Sequence, residues 1–275
     1  MKTTVELITD KARMSRLGTI KQIDVAKSGH YGSSFSCAEI FAVLYYGKVL
    51  RYDPSNPTWA NRDRLLLGKG HAAVGLYPIL ADVGFFPNEW LETYARLGSP
   101  LGDHPDMRKI PGIDFSSGSL GHNLSVSVGM SLAARVKGLG YRVFCLLGDG
   151  ELDEGQVWEA AMSAAHFKLG NLIAIVDRNL VSVDGNTNDI MNSEPIARKW
   201  KAFGWAVYEV DGHDVGALLE SFSRLPDPTS QVPTLIIAHT VTGKGVSFLE
   251  RNFAWHLGYL AERDRDAAIK ELSAN

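Results

Sequence analysis

The chain has 275 residues, 45% of them hydrophobic and 21% charged, with 28 Lys and Arg against 31 Asp and Glu. Those proportions suit a globular chain long enough for one large α/β core. A formal net charge of −3 argues against a nucleic-acid or acidic-membrane surface, and no apolar run reaches the roughly 20 residues that a membrane helix needs.

Residues 3–26 carry the Leu, Ile and Val spacing of a helix. A glycine-bearing break follows at 28–34, and 37–50 reads as a strongly apolar, buried helix. Asp53 to Pro57 is a turn. Arg64 to Leu67 predicts a short strand that runs into the loop Gly68-Lys69-Gly70-His71, with a helix over 72–83. Residues 98–123 form a long glycine- and proline-bearing loop; such a loop in a globular chain is usually either functional or a misassigned element, and His104 and His122 within it favour function. From there strand and helix alternate: helix 125–135, strand 141–147, helix 155–167, strand 172–176, helix 194–203, strand 206–210, helix 217–224 and strand 234–239. Val-, Ile- and Leu-rich strands between helices predict a parallel sheet with helices on both faces. Ligands of such sheets lie beyond the carboxyl ends of the strands.

No internal repeat or low-complexity tract interrupts the pattern. The two cysteines, Cys37 and Cys145, read as reduced thiols. Met1 to Leu17 is charged and lacks the apolar core of a signal peptide, which gives the expectation of a cytoplasmic protein.

The chemistry is concentrated at strand ends. Gly148-Asp149-Gly150 directly follows strand 141–147. A carboxylate flanked by glycines can approach a hard cation and leave room for phosphate oxygens. The next strand runs into Asp177-Arg178-Asn179-Leu180-Val181. Asn179 offers an amide oxygen and Val181 a backbone carbonyl. Asn179 follows Asp149 by 30 residues, one strand–helix–strand step, so adjacent parallel strands bring both to one sheet edge. Gly-Asp-Gly alone is weak evidence and fits a plain turn. Gly-Asp-Gly, then Asn179 and Asp184-Gly185 at this spacing is far more specific. No Gly-x-Gly-x-x-Gly follows the first strand, which argues against a plain nucleotide-binding Rossmann domain.

This combination resembles the thiamine-diphosphate motif, and the run Gly148 to Ala160 is similar to the matching stretch of transketolases. So are Lys27-Ser28-Gly29-His30, Lys69-Gly70-His71-Ala72-Ala73, His104-Pro105, Gly118-Ser119-Leu120-Gly121, Lys244-Gly245 and Trp255-His256. They occur in family order from about residue 15 to 258, and the length is similar to the first subunit of the short, two-chain transketolases. The resemblance implies a thiamine-diphosphate-binding fold over residues 1–275 as one diphosphate-binding domain. It places the pyrimidine-binding and C-terminal domains on a separate chain, in a heterotetramer of two plus two.

The resemblance also implies roles. Asp149, Asn179 and the Val181 carbonyl would hold magnesium, for which calcium or manganese can substitute. Gly150 would lie against the diphosphate, and Gly118 and Leu120 would contact the aminopyrimidine ring. His71 would sit near the diphosphate and the reacting centre. His30, His104 and His256 would be the catalytic histidines, contacting the hydroxyls and oxyanion of the sugar donor; imidazole moves protons near neutral pH. A lone histidine is more often structural, and His166 and His213 read that way. Lys244 is either a diphosphate or loop contact or a solvated lysine.

The implied activity is transfer of a two-carbon ketol unit between sugar phosphates with thiamine diphosphate and magnesium. The glutamate that activates the cofactor belongs to the other domain, so activity is expected only with the partner subunit. Alternatives are the α-type subunit of a thiamine-diphosphate dehydrogenase or decarboxylase, or a non-catalytic homologue. His122 and Asn123 stand where transketolases commonly carry Gln and Gly, Arg178 where a neutral or acidic residue is usual, and Tyr31 where Pro often follows His30. Those departures bear on substrate choice more than on cofactor binding.

Overall fold

A computed structural model describes residues 2–274. Ten α-helices and seven strands are found among them. The helices are α1 (Thr4–Ala26), α2 (Tyr31–Ser36), α3 (Ala38–Tyr46), α4 (Ala73–Asp82), α5 (His122–Val136), α6 (Gly155–His166), α7 (Thr187–Ile190), α8 (Ile196–Ala202), α9 (Val215–Ser223) and α10 (Glu262–Ala274). The strands are β1 (Arg64–Leu67), β2 (Val143–Gly148), β3 (Leu172–Arg178), β4 (Val181–Ser182), β5 (Gly185–Asn186), β6 (Ala206–Asp211) and β7 (Thr234–His239).

Five strands form a wholly parallel sheet in the order β1-β2-β3-β7-β6. Their side chains alternate between two apolar layers. Phe144, Leu146, Ile173, Ile175 and Ile236 face one core with α1, α3, α4 and α9. Val143, Cys145, Leu147, Ala174, Val176, Leu235 and Ile237 face the other, with α5, α6 and α8. Burial on both faces explains why these strands read as unbroken apolar runs. Cys37 and Cys145 are free and buried.

Helix α1 starts at a capping box: the Thr3 hydroxyl accepts from the Glu6 amide and the Glu6 carboxylate from the Thr3 amide. Ile8, Ala12, Ile20 and Ile23 bury its inner face. Within that face Arg16 pairs at 2.6 Å with Glu39 of α3, and Glu39 also accepts from Nδ1 of His213 at 2.9 Å. Far along the chain, Gly29 and Gly258 exchange two backbone hydrogen bonds, 3.1 and 2.9 Å, in an antiparallel bridge.

Several element boundaries are corrected. Helix α2 begins inside the break at 28–34: Gly32 is a packing glycine, since a Cβ there would stand 2.4 Å from Oγ1 of Thr242. The apolar helix 37–50 ends at Tyr46. The 98–123 loop is two residues shorter, because His122 and Asn123 open α5 after Gly121 turns the chain at φ +85°. The strand expected at 172–176 continues to Arg178, and the helix expected at 194–203 begins after Pro195.

Candidate active site

A cavity of about 240 Å³ opens at the carboxyl ends of the sheet strands. The loop after β1 contributes Lys69 and His71, the turn after β2 contributes Gly148 to Glu151, and the segment after β3 contributes Asn179 and Val181. Thr242 enters after β7, and Ser33 comes from α2. His30, His104, His256, Gly118 and Leu120 complete the wall. Register puts Gly148 opposite Asp177, so the two acidic strand ends meet as the spacing requires.

Asp149 is buried, with one carboxylate oxygen accepting from the Gly150 amide at 2.9 Å and the other from the Leu180 amide at 2.6 Å. Burial, followed by the nearby Asp177 carboxylate, pushes its pKa up to about 7. Asn179 accepts from the Val181 amide at 3.0 Å and donates to Asp177 at 2.9 Å. Asp177 is fully buried and also accepts from Ser36 at 2.7 Å, from Thr240 and from Lys69. Burial opposes its charge, but the Lys69 ammonium overrides that and holds it below the usual carboxylate range. This matched pair explains how a lysine sits fully buried in the cavity wall.

Glu151 ties two walls together. Its carboxylate accepts from the Gly121 amide at 2.9 Å and the Gly148 amide at 3.1 Å. Burial pushes it up to about 7. Gly68 must be glycine beneath it, since a Cβ there would stand 2.4 Å from the carboxylate.

Four imidazoles gather in the same cavity. The His30 ring lies 4.9 Å from His71, 5.5 Å from His256 and 6.2 Å from His104, and His71 lies 5.2 Å from His256. Burial, and then the Lys69 charge, lowers the His71 pKa well below the ordinary value. Burial and His30 lower His256 to about 4. Both are therefore neutral donor–acceptors at physiological pH.

Of the catalytic, cofactor and metal residues expected from the sequence, Lys244 alone lies away from this cavity. Gly243 turns the chain at φ +70°. That turn leaves Thr242 in the wall and sends Lys244 to another depression, where its ammonium is 3.8 Å from Glu250. Arg178 is engaged by Glu194 at 2.7 Å. Asn123 donates to Ser117 at 2.8 Å and to the Leu67 carbonyl. His122 and His166 are exposed helix-end residues. His213 bridges Glu39 and the Val241 amide, 2.9 and 2.8 Å.

Sequence reasoning missed Ser33, Lys69, Glu151 and Thr242 as wall residues. Lys69 and Glu151 stood inside quoted motifs, while Ser33 gave no signal.

The geometry suits a diphosphate-bearing cofactor. The buried Ser33 hydroxyl has no hydrogen-bond partner, and Gly118 has space on its Cα, the nearest atom to an added Cβ being 3.7 Å away on His104. Among the described residues no three His, Cys, Asp or Glu side chains form a metal-binding group. The donors present are one carboxylate, one amide and one carbonyl, a set that diphosphate oxygens and water would complete around magnesium.

The family model described as "Transketolase, thiamine diphosphate binding domain" matches residues 8–274. The chain belongs to this transketolase family. It is 42% identical to a 6-deoxy-6-sulfo-D-fructose transketolase subunit of a Clostridium strain, covering 95% of this chain and 94% of that one. It is 39% identical to an apulose-4-phosphate transketolase subunit of Phocaeicola vulgatus, covering 98% and 94%. Among solved structures, transketolase from Campylobacter jejuni superposes with a TM-score of 0.92 at 31% identity over 99% of this chain and 43% of that one. Pichia stipitis transketolase in complex with sedoheptulose 7-phosphate gives 0.90 at 30% identity, over 98% and 41%. The chain thus spans about two fifths of the solved transketolases and nearly all of the two bacterial subunits. Among the described residues no helix is long and apolar enough to cross a membrane.

Proposed function

We propose that this chain is the thiamine-diphosphate-binding subunit of a two-chain transketolase that moves a two-carbon ketol unit between sugar phosphates. One observation carries the reading: a single cavity joins the Asp149–Asn179–Val181 donor set to four clustered histidines. An α-type dehydrogenase subunit gives no reason for the second half of that arrangement.

Asp149, the Asn179 amide oxygen and the Val181 carbonyl would hold magnesium, and Gly150 and the Ser33 hydroxyl would face the diphosphate. Gly118 and Leu120 would take the aminopyrimidine ring. When bound, thiamine diphosphate supplies the electron sink for carbon–carbon cleavage. The chain's own part is to orient the sugar and move protons. His30, His104 and His256 would accept or donate protons at its hydroxyl and carbonyl oxygens, with neutral His71 beside the diphosphate.

The two bacterial relatives, matched over 94% of their own lengths, are themselves named as subunits, which supports a second chain carrying the pyrimidine-binding and C-terminal domains. A heterotetramer with the cofactor between unlike chains is the assembly we favour.

Native mass spectrometry of the protein purified from its source tests this reading. A complex with a second chain, carrying thiamine diphosphate and turning over sugar phosphates, is the expected result. A homodimer without cofactor, inactive with every candidate partner, would overturn it.

A further inference from the structure

Asp103 has no assigned role, yet it touches two of the four clustered histidines. One carboxylate oxygen stands 3.2 Å from Nδ1 of His30 and accepts from the Tyr94 hydroxyl at 2.8 Å. The other stands 3.5 Å from Nδ1 of His104. The anchorage is firm on the protein side. Tyr94 is fully buried, and the Tyr77 hydroxyl donates to the Gly102 carbonyl at 2.9 Å, fixing the backbone beside it.

We propose that Asp103 is a positioning residue that sets the tautomer of His30 and so determines which nitrogen the substrate meets. An ionised carboxylate only accepts hydrogen bonds. Burial opposes that charge, but the His30 contact overrides it and holds the Asp103 pKa below its ordinary value. The His30 nitrogen facing it must therefore carry the hydrogen. In the neutral ring, which has one N–H, Nε2 is then left with a lone pair. Asp103 is the only hydrogen-bond partner of His30 among the described residues, which leaves Nε2 for the cavity. The groups facing His30 are Asp103, His71, His104 and His256, with Lys69 beyond them. No other carboxylate in that set could impose the opposite tautomer.

The consequence is a division of labour. His30 enters the reaction as a proton acceptor toward a sugar hydroxyl, the one direction its free nitrogen allows. Without Asp103 the ring could present an N–H donor instead, and a hydroxyl that must lose its proton would meet the wrong partner. Orienting carboxylates of this kind fix both the tautomer and the ring plane of the imidazole they hold.

The test uses the full chain with 15N-labelled histidine and, for turnover, its complex with the partner subunit. A His30→Gln variant assigns the His30 signals. At alkaline pH, where imidazole is neutral, the wild type should show His30 as the Nδ1–H tautomer. Asp103→Ala should revert it to Nε2–H and lower kcat on the order of 10- to 100-fold, with thiamine diphosphate affinity unchanged. Asp103→Asn, which keeps an oxygen acceptor, should retain the Nδ1–H tautomer and most of the turnover. An unchanged His30 tautomer in Asp103→Ala overturns the proposal. So does a changed tautomer with full turnover, or lost turnover in Asp103→Asn with the tautomer kept. The proposal rests on the transketolase reading, but the two fail separately. A wild-type complex without ketol transfer sinks that reading, while the His30 spectrum still decides the coupling to Asp103.

Discussion

Asp149, just past the end of β2, accepts a 2.6 Å hydrogen bond from the backbone amide of Leu180, just past the end of β3. Leu180 reaches this position with φ +66°, a conformation that side-chain-bearing residues adopt rarely. The bond turns the β3 segment so that Asn179 and Val181 line the same cavity as the carboxylate. Strained backbone at such a point is typical of ligand clamps.

Asp149→Ala is expected to abolish magnesium-dependent binding of thiamine diphosphate and to leave the fold intact. Cofactor titration, with circular dichroism as the control, checks it. Unchanged affinity would refute the metal assignment.

Ser33→Ala separates a ligand contact from a structural one. The hydroxyl is buried without a partner, so removing it should leave stability unchanged or slightly raised. If it donates to the diphosphate, cofactor affinity falls by roughly one hydrogen bond, about 1 kcal/mol or fivefold. Calorimetric titration beside a urea melt reads both.

Gly118→Ala reports where the cofactor ring lies. Its nearest contact at 3.7 Å is ordinary packing, so the free protein should tolerate the methyl group with a stability change within about 0.5 kcal/mol. Cofactor binding should weaken by at least tenfold, because the methyl group occupies the space assigned to the aminopyrimidine. Equal affinity for the two proteins would move the ring elsewhere.

Glu39 sets an acid limit on stability. Burial opposes its charge, but Arg16 overrides that and lowers the pKa from 4.5 to about 2. A depressed acid stabilises the fold above its unfolded value and loses that contribution as pH falls through the folded one. Glu39→Gln should therefore cost about 3 kcal/mol at neutral pH, leaving Arg16 buried without its counter-charge. The difference from wild type should shrink between pH 4.5 and 2. Urea unfolding across that range is the check, and a constant difference would contradict the assignment.

The sheet was legible because each core strand is buried on both faces, which leaves continuous apolar runs such as Leu172 to Val176. The meeting of Asp149 and Asn179 at one sheet edge was legible for a different reason: one strand–helix–strand step has a narrow range of lengths. What escaped depends on close approach rather than periodicity. Gly32 reads as a breaker, yet it sits inside α2 because Thr242 leaves no room for a side chain. Lys244 reads as either a diphosphate or loop contact or a solvated lysine, and the positive φ of Gly243 puts Thr242 in the wall instead. Ser33 was invisible because an unpartnered hydroxyl has no sequence signature.

The Gly29–Gly258 bridge has a consequence for how the protein is made. It fastens the segment carrying His256 to the segment carrying His30, residues separated by most of the chain. A ribosome delivers the first long after the second, so a nascent chain can hold its sheet while its imidazole cluster is still open. Closure waits for the segment around Gly258, and contacts of such long sequence separation form slowly. Competence to accept a sugar is thereby deferred until the segment carrying His256 has been made.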